Sequence, residues 1–353
     1  MAGGVAMVWG VGVIGAGPGA SALHLPTLDR LAERFSVVHV SDSGSGRAAS
    51  LASRIGAAAS VGTSALLADP AVEVVAICSP PDQHAAQVRA AVGAGVRAIL
   101  CEKPLATTAS DAAEIVETCM DAGIPLVVAT NHLYDPAWAR AKRHLVSRQS
   151  SIRAVSASVA LPPNGRFHAA VTELLDAGGT RRGGAPDLAD PDVAASVVRQ
   201  LVLGLAIHDL PAIRDLAPEF ERVDFAAPLP PIGYAVGFRS GGISILLTAV
   251  MLPDGPDPLW RLTVDTDDDR LDVEFPPAFV HAGSADIRVR LGEGRTTTYR
   301  RDRADGYLAE WLALADLLDG AATTEYHELL DDALFAIALA DAAAEAVRSG
   351  AST

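Results

Sequence analysis

The sequence contains almost no lysine. Of its 28 basic residues only Lys103 and Lys142 are lysines, and the others are arginines. Because arginine keeps its proton in proteins whereas a lysine ammonium can be tuned to release it, a retained lysine is a candidate for proton-transfer chemistry. Cysteine is also scarce. Cys78, Cys101 and Cys119 form no C-x-x-C pair and are interpreted as apolar core residues in a reducing compartment.

Basic residues are also outnumbered by acidic residues, 28 to 43. The net charge of −15 argues against a nucleic-acid partner and against an anionic membrane surface. Residues 1–28 carry no charge, but their seven glycines fit a strand and a glycine turn better than a signal or membrane segment. No other stretch could cross a bilayer without charges. The protein is therefore expected to be cytoplasmic. Its length of 353 residues predicts two domains.

An apolar run over residues 11–14 leads into a glycine-rich turn. Gly15, Gly17 and Ala20 follow the G-x-G-x-x-A spacing of a dinucleotide fingerprint. Gly15 permits the tight turn, Gly17 lets backbone N–H groups approach a pyrophosphate, and a helix over residues 21–34 would offer its N-terminus to the phosphates. The turn residues predicted to contact the cofactor are Gly15, Ala16, Gly17, Pro18, Gly19 and Ala20.

A second apolar run, residues 35–40, is followed by an aspartate at a distance that suits the same site. Asp42 lies 22 residues past Ala20, where a carboxylate accepts hydrogen bonds from the adenosine ribose hydroxyls. This favours NAD over NADP, whereas Arg47 offers a phosphate partner and argues mildly for NADP. Asp42, Ser43 and Arg47 are predicted to contact the cofactor.

Apolar runs alternate with helical segments as far as residue 129. This alternation predicts an α/β domain over residues 1–130, a Rossmann fold with a doubly wound parallel sheet. Ligands bind outside the carboxyl ends of such strands, where two polar clusters lie. The residues of these clusters that are predicted to contact the cofactor are Ser79, Pro80, His84, Glu102 and Lys103.

The pattern changes after Asn131. Several segments alternate with period two, which predicts a C-terminal α+β domain, residues 131–353, with a largely antiparallel open sheet. One face of that sheet would be free for association, so a homo-oligomer is expected. A long helix with Asp190 as its N-cap and Pro191 at its first position leads to His208-Asp209.

At this point the chain resembles the Gfo/Idh/MocA oxidoreductase family, which includes glucose–fructose oxidoreductase and inositol dehydrogenases. The resemblance spans almost the whole chain, and its most specific part is Glu102-Lys103-Pro104. It implies a nicotinamide-dependent oxidoreductase acting on a secondary alcohol or ketone of a polyol, inositol or sugar derivative. It further implies that Lys103 lies beside the nicotinamide and the substrate hydroxyl, and that His208 acts on the same hydroxyl.

One position departs from the family pattern. The aspartate expected four residues before the helix histidine is Gly204 here, so an acidic partner of Lys103 is missing from its usual place. The missing side chain either makes room for a bulky substrate or permits close helix packing. Two other functions stay open: a dinucleotide-binding regulator without catalysis, and an enzyme whose bound NAD is recycled during a net elimination or hydrolysis.

Two further features of the sequence bear on the site. Arg166, Arg181 and Arg182 lie in a polar loop that could clamp phosphates, although a solvated loop is favoured. No H-E-x-x-H motif or paired-cysteine spacing occurs, so no metal site is predicted.

Overall fold

The computed structural model describes residues 7–162, 186–252, 258–277 and 280–350, apart from the side chain of Glu293. The described chain forms two compact units. The first contains residues up to 129 together with residues 310–333, and the second contains residues 130–309 and those from 334 onward, within the described ranges. The sequence does not indicate that residues 310–333 group with the first unit. The predicted domain boundary between residues 130 and 131 stays a prediction.

The first unit is built on a six-stranded parallel sheet with the order β3-β2-β1-β4-β5-β6. Its central strands are apolar and fully buried, as expected for strands covered on both faces. The predicted parallel, doubly wound sheet is confirmed. The strands are β1 Trp9–Ile14, β2 Phe35–Asp42, β3 Ala58–Val61, β4 Val74–Ile77, β5 Ala98–Cys101 and β6 Leu126–Val128.

Short helices connect these strands. The longest of them is capped by Thr108, whose side chain accepts from the backbone N–H of Asp111, and it ends at Gly123 in the left-handed conformation. The connecting helices are α1 Leu25–Arg30, α2 Arg47–Ile55, α3 Thr63–Leu67, α4 His84–Gly93 and α5 Ala109–Ala122.

The second unit contains an eight-stranded sheet with the order β14-β13-β12-β11-β7-β10-β9-β8. All neighbouring strands are antiparallel except β7 and β10, which pair in parallel, so the predicted largely antiparallel sheet is confirmed. The strands are β7 Ile152–Leu161, β8 Phe220–Pro228, β9 Gly233–Ser240, β10 Ile243–Met251, β11 Leu259–Thr266, β12 Asp269–Glu274, β13 Asp286–Leu291 and β14 Thr296–Tyr299.

Two of the remaining helices begin at well-formed caps. Asp135 accepts from the backbone N–H of Ala137, and Asp190 accepts from those of Asp192 and Val193; a proline follows each aspartate at the first helical position. The helices are α6 Asn131–Tyr134, α7 Pro136–Arg148, α8 Pro191–Gly204, α9 Leu210–Leu216, α10 Gly306–Leu318 and α11 Tyr326–Arg348.

The sequence pattern missed three strands, β3, β8 and β14. All three lie at the edges of their sheets, and most of their residues are exposed or half-buried. An edge strand in contact with water lacks the apolar periodicity that reveals an inner strand.

No single helix in the described ranges combines the length and the apolar character of a membrane span. Among the described residues, one bent pair of helices, Pro191–His208 and Leu210–Leu216, has that length and apolar character when the two are taken together. Arg166, Arg181 and Arg182 of the polar loop lie outside the described residues.

Candidate functional site

The first unit has a cleft along the carboxyl ends of β1, β2 and β4. It has an accessible volume of about 460 Å³ and is open to solvent. A cleft at this edge is where ligands bind in parallel α/β sheets. It is lined by Ile14, Gly15, Ala16, Gly17, Pro18, Ser41, Asp42, Ser43, Ser45, Arg47, Gly62, Thr63, Cys78, Ser79, Pro80, Gln83 and Gln87.

Gly15 makes the tight turn that the sequence predicts. Its φ is +102°, a conformation that favours glycine, and its N–H donates to the Ser41 carbonyl at 2.8 Å. A Cβ on Gly15 would lie 2.6 Å from the Cys78 carbonyl oxygen, whereas a Cβ on Gly17 would meet no heavy atom within 4 Å. The turn therefore packs tightly against β4 at Gly15 and leaves the Gly17 backbone open, which fits a pyrophosphate bound against it.

The helix predicted over residues 21–34 is wrong in its extent. Residues Ala20–His24 form a turn of π-helix, and the α-helix that follows ends at Arg30. Pro26 has no N–H to donate back to residue 22, so the regular α-helical ladder cannot continue through this point. The widened turn leaves His24 buried, with 1% of its surface exposed.

Asp42 ends β2 and organises the loop after it. Its Oδ1 accepts from the Gly44 N–H at 2.8 Å, and its Oδ2 accepts from the Ser45 hydroxyl at 2.5 Å and the Ala48 N–H at 3.0 Å. Burial acts to raise the pKa of Asp42, but these hydrogen bonds outweigh it and lower the pKa. The carboxylate is thus a fixed acceptor that lines the cleft and also holds the start of α2.

Five of the residues predicted to hold the cofactor do not line this cleft: Gly19, Ala20, His84, Glu102 and Lys103. His84 is fully buried, and its two ring nitrogens lie 3.0 Å from the carbonyl oxygens of Leu105 and Ser79. It therefore supports the backbone of Ser79, which does line the cleft. Ala20 is also fully buried, in keeping with its predicted role in close packing.

Glu102 follows β5 and belongs to a chain of buried hydrogen bonds. Its Oε1 lies 3.0 Å from His24 Nε2, and its Oε2 accepts from the Lys103 N–H at 3.0 Å. The Trp311 indole N–H donates to His24 Nδ1 at 3.1 Å. Because an indole only donates, Nδ1 is the acceptor, and Nε2 carries the proton that His24 donates to Glu102. The chain from Trp311 through His24 fixes Glu102 beside the backbone of Lys103.

Burial and neighbouring charges act in opposite directions on the pKa values of Glu102 and Lys103. Burial acts to raise the pKa of Glu102, but the hydrogen bond from His24 and the charge of Lys103 lower it. Burial lowers the pKa of Lys103 below its ordinary value, and the carboxylate of Glu102 opposes this only in part. A lysine whose pKa is lowered by desolvation can exchange its proton more readily than an exposed one.

The second unit has a narrow cleft of its own, with an accessible volume of about 10 Å³, which is about the space of one water molecule. Aromatic rings, two histidines and two buried aspartates form its walls. The lining residues are Asn131, His132, Asp135, His208, Trp260, Phe275, Pro276, Pro277, Asp305, Gly306 and Tyr307. The predicted catalytic residue His208 is among them.

The helix leading to His208 is interrupted, contrary to the prediction. It ends at Gly204, and a separate 3₁₀ turn, Ala206–His208, carries the histidine. Gly204 is therefore not one regular helical turn before His208. Within the described part of the chain, a Cβ on Gly204 would meet nothing within 4 Å. Close packing of the helix stays a prediction. Room for a bulky substrate stays a prediction.

His208 is 9% exposed and is held by a residue that the sequence did not single out. Its Nδ1 lies 2.6 Å from the side-chain oxygen of Asn131. Asp209, which is 1% exposed, bonds His132 and Trp260. Sequence reasoning missed His132, Asn131 and Trp260 as site residues, because they are distant in sequence from the helix that ends at His208.

Asp135 lies in the wall of the same cleft, where it is 3% exposed. Burial is the main cause that raises its pKa to about 6, although backbone N–H groups of Ala137 and Ala285 bond its carboxylate and act in the opposite direction. Because the folded protein binds this proton more tightly than the unfolded chain, stability should fall as the pH rises from about 4 to about 6.

We therefore expect Asp135→Asn to stabilise the protein at pH 7 but not at pH 4. Asparagine resembles the protonated carboxyl and still caps α7. A shift from 3.8 to about 6 corresponds to about 3 kcal/mol at neutral pH. Chemical denaturation of both proteins at several pH values measures it. The same replacement at Asp190, the exposed cap of α8, controls for the change of capping side chain; an Asp135→Asn benefit that is equal at both pH values would contradict the assignment.

Among the described residues, no group of three or more His, Cys, Asp or Glu side chains is placed to hold a metal ion.

Comparison with known proteins agrees with the fold and the first cleft. Residues 9–130 match the GFO_IDH_MocA family, described as an oxidoreductase family with an NAD-binding Rossmann fold. Inositol 2-dehydrogenase 2 of Saccharopolyspora erythraea is 34% identical over 163 residues, which are 44% of this chain and 48% of that enzyme. The match thus spans about half of that relative. D-xylose 1-dehydrogenase (NADP(+)) 2 of Haloferax volcanii is 27% identical over 313 residues, which are 86% of this chain and 87% of that enzyme.

Solved structures share the fold over nearly the whole chain. KijD10, a 3-ketoreductase from Actinomadura kijaniata in complex with NADP, is 19% identical with a TM-score of 0.71, covering 95% of this chain and 96% of that one. UDP-N-acetylglucosamine 3-dehydrogenase GnnA from Acidithiobacillus ferrooxidans is also 19% identical, with a TM-score of 0.72, covering 97% and 99%. Residues 9–130, with their parallel sheet and glycine turn, therefore belong to the NAD-binding Rossmann domain of the Gfo/Idh/MocA oxidoreductase family.

Proposed function

We propose that the protein is a nicotinamide-dependent dehydrogenase or reductase that acts on a CH–OH group of a polyol, inositol or sugar derivative. The environment of Lys103 is the observation that supports this proposal most directly. Lys103 follows β5 at the ligand-binding edge of the sheet, its pKa is lowered by burial, and its backbone is fixed by Glu102. An amine of this kind suits the proton exchange that accompanies oxidation of an alcohol.

Each cleft has a part in the proposed reaction. The open backbone at Gly17 and the turn at Gly15 hold the pyrophosphate, and Asp42 accepts from the ribose. The cofactor, when bound, supplies the acceptor or donor of the hydride. The resemblance to the family implies that Lys103 exchanges the proton of the substrate hydroxyl and that His208 acts on the same hydroxyl, and both roles are part of this proposal.

The test is a screen of inositols, other polyols, sugars and keto-sugars with NAD and NADP, followed by nicotinamide absorbance. Net reduction or oxidation of the cofactor with one class of substrate supports the proposal. Cofactor binding without any turnover would favour the regulator. Conversion of a substrate without net change in absorbance would favour internal recycling of bound NAD.

We also propose NAD as the preferred cofactor, because Asp42 would repel a 2′-phosphate. Its position in the cleft wall, bonded to its own loop, keeps this negative charge in place. Arg47 lines the same cleft and would favour NADP. The names of related proteins include NADP, so the two residues have to be weighed by experiment.

Arg47→Ala is expected to weaken NADP binding about tenfold, which is equivalent to about 1.4 kcal/mol. The affinity for NAD should stay within about twofold of that of the parent. Isothermal titration with both cofactors measures the effect. Arg54→Ala on the exposed side of the same helix is the matched control. Tighter binding of NADP than NAD by the parent protein would overturn the assignment of NAD.

The open sheet of the second unit is our proposed surface for a homo-oligomer. Leu246 in β10 is 41% exposed and Phe225 in β8 is 37% exposed, which is unusual for large apolar side chains. The proposal of a cytoplasmic location rests on the sequence composition alone.

A further inference from the structure

His24 connects the glycine turn to the residues that follow β5. It is the last residue of the π-helical turn Ala20–His24, which begins directly after Gly19. Its Nε2 lies 3.0 Å from Glu102 Oε1, and a Cβ on Gly19 would lie 3.4 Å from the same oxygen. The carboxylate of Glu102 is therefore packed against the glycine turn, and His24 bonds it there.

Trp311 fixes the ring of His24. Residues 310–333 group with the first unit, so this contact lies within that unit. The indole N–H donates to His24 Nδ1 at 3.1 Å, and the two rings meet edge-on with their centroids 6.0 Å apart. Trp311 is fully buried and meets the ring of Phe35 at 5.2 Å. A ring that is locked by packing and bonded at both nitrogens keeps one orientation.

The proton of the His24 ring lies on Nε2. Burial acts to lower the pKa of His24, whereas ionised Cys78 and Glu102 would together raise it to about 10. Burial raises the pKa of the Cys78 thiol, however, so this thiol is uncharged at neutral pH. The indole N–H directed at Nδ1 also opposes a second proton on that nitrogen. The ring is therefore neutral, and Nε2 donates to Glu102.

Glu102 passes this constraint to Lys103. Its Oε2 accepts from the backbone N–H of Lys103 at 3.0 Å, and its negative charge opposes the effect of burial on the pKa of Lys103. The last torsion of a glutamate side chain has only a broad preference of its own. Without the bond from His24, the carboxylate could rotate and release the backbone of Lys103.

We propose that His24 is a positioning residue for Lys103 in the oxidation or reduction proposed above, an inference that rests on the proposed function. Trp311 holds the His24 ring, which donates to Glu102. The other oxygen of Glu102 holds the backbone of Lys103, so the lysine exchanges its proton from a fixed place relative to the glycine turn. His24 is 1% exposed and does not line the first cleft, so it acts through Glu102 and not on the substrate.

The first test compares His24→Leu with His24→Gln. Leucine donates no hydrogen bond, so kcat should fall about 100-fold, the cost of moving a reacting group by about 1 Å. KM for the substrate should stay within about threefold of the parent value, because the change acts on proton exchange and not on binding. Glutamine can donate to Glu102 and accept from Trp311, so it should restore most of kcat. A leucine variant with the kcat of the parent, or a glutamine variant as slow as the leucine variant, would overturn the proposal.

His39→Leu is the matched control. His39 is another buried histidine of the first unit, with Nδ1 at 2.8 Å from Asp69 and Nε2 at 3.0 Å from Ser60, and it does not line the first cleft. We expect this variant to melt at a lower temperature while kcat stays that of the parent. An equal loss of kcat in both leucine variants would mean that His24 acts only through the stability of the fold.

A second measurement does not depend on activity. Hydrogen exchange of the Lys103 backbone amide, followed by NMR, should be about tenfold faster in His24→Leu and Trp311→Phe than in the parent, and unchanged in His39→Leu. Exchange at the parent rate in His24→Leu would overturn the inference even if no substrate is found. If exchange responds as expected but the parent turns over none of the substrates, the contact is supported and the proposed function fails.

Discussion

Replacing Lys103 with arginine is expected to remove turnover while the protein remains folded and binds NAD. Arginine keeps the positive charge beside Glu102 but cannot release its proton. The ammonium of Lys103 has its pKa lowered by burial, which is the property that the replacement removes. Since a general acid–base group contributes about 10²–10⁴-fold, turnover should fall by that factor.

Lys142→Arg provides the control, because Lys142 is the other lysine of the chain. Its ammonium lies 2.7 Å from Asp215 and is 45% exposed. Arginine can form the same ion pair there, so activity and melting temperature should stay close to those of the parent. Steady-state kinetics and cofactor titration on both variants decide the matter: a Lys103→Arg protein with a rate within a few fold of the parent would give Lys103 a structural role only.

Gly15→Ala is expected to abolish NAD binding and to lower stability. A left-handed backbone costs a residue with a side chain about 1–2 kcal/mol. In addition, the new Cβ would lie 2.6 Å from the Cys78 carbonyl oxygen and 2.8 Å from the Ser79 nitrogen, so the backbone of the turn or of the β4 end must move. Movement of the turn or of the end of β4 displaces the residues that line the first cleft. Differential scanning calorimetry and NAD titration measure the two effects.

Two other glycines separate the causes. Gly56 has a φ of +72° and open space around its Cβ position, so Gly56→Ala tests the backbone cost alone. Gly17 has open space and no positive φ, so Gly17→Ala should fold as well as the parent but hinder the pyrophosphate. If Gly15→Ala binds NAD as well as Gly56→Ala does, the close approach of Gly15 to β4 has no part in cofactor binding.

Local patterns were enough to predict the features that depend on neighbouring residues. The turn at Gly15, the position of Asp42 at the end of β2 and the cap at Asp190 each follow from a few adjacent side chains. The inner strands were also predictable, because buried strands are apolar along their length. These features place the first cleft at the carboxyl ends of the parallel strands.

The supports of the proposed catalytic residues could not be predicted, because they come from distant parts of the chain. Trp311 bonds His24 across 287 residues, and Trp260 bonds Asp209 across 51. The end of α8 at Gly204 also escaped prediction, since an apolar helical pattern continues through that glycine. Such contacts are chosen by packing in the folded protein, and no periodicity in the sequence encodes them.

The hydrogen bond from Trp311 to His24 has a consequence for biosynthesis. A ribosome that has released residues 9–128 has delivered every strand of the parallel sheet, so that sheet can assemble early. Trp311 emerges about 180 residues later. The nascent chain thus carries a nearly complete nucleotide-binding sheet in which His24 has not yet received its indole partner. The support of Glu102, and with it of the Lys103 backbone, is completed only after Trp311 has emerged.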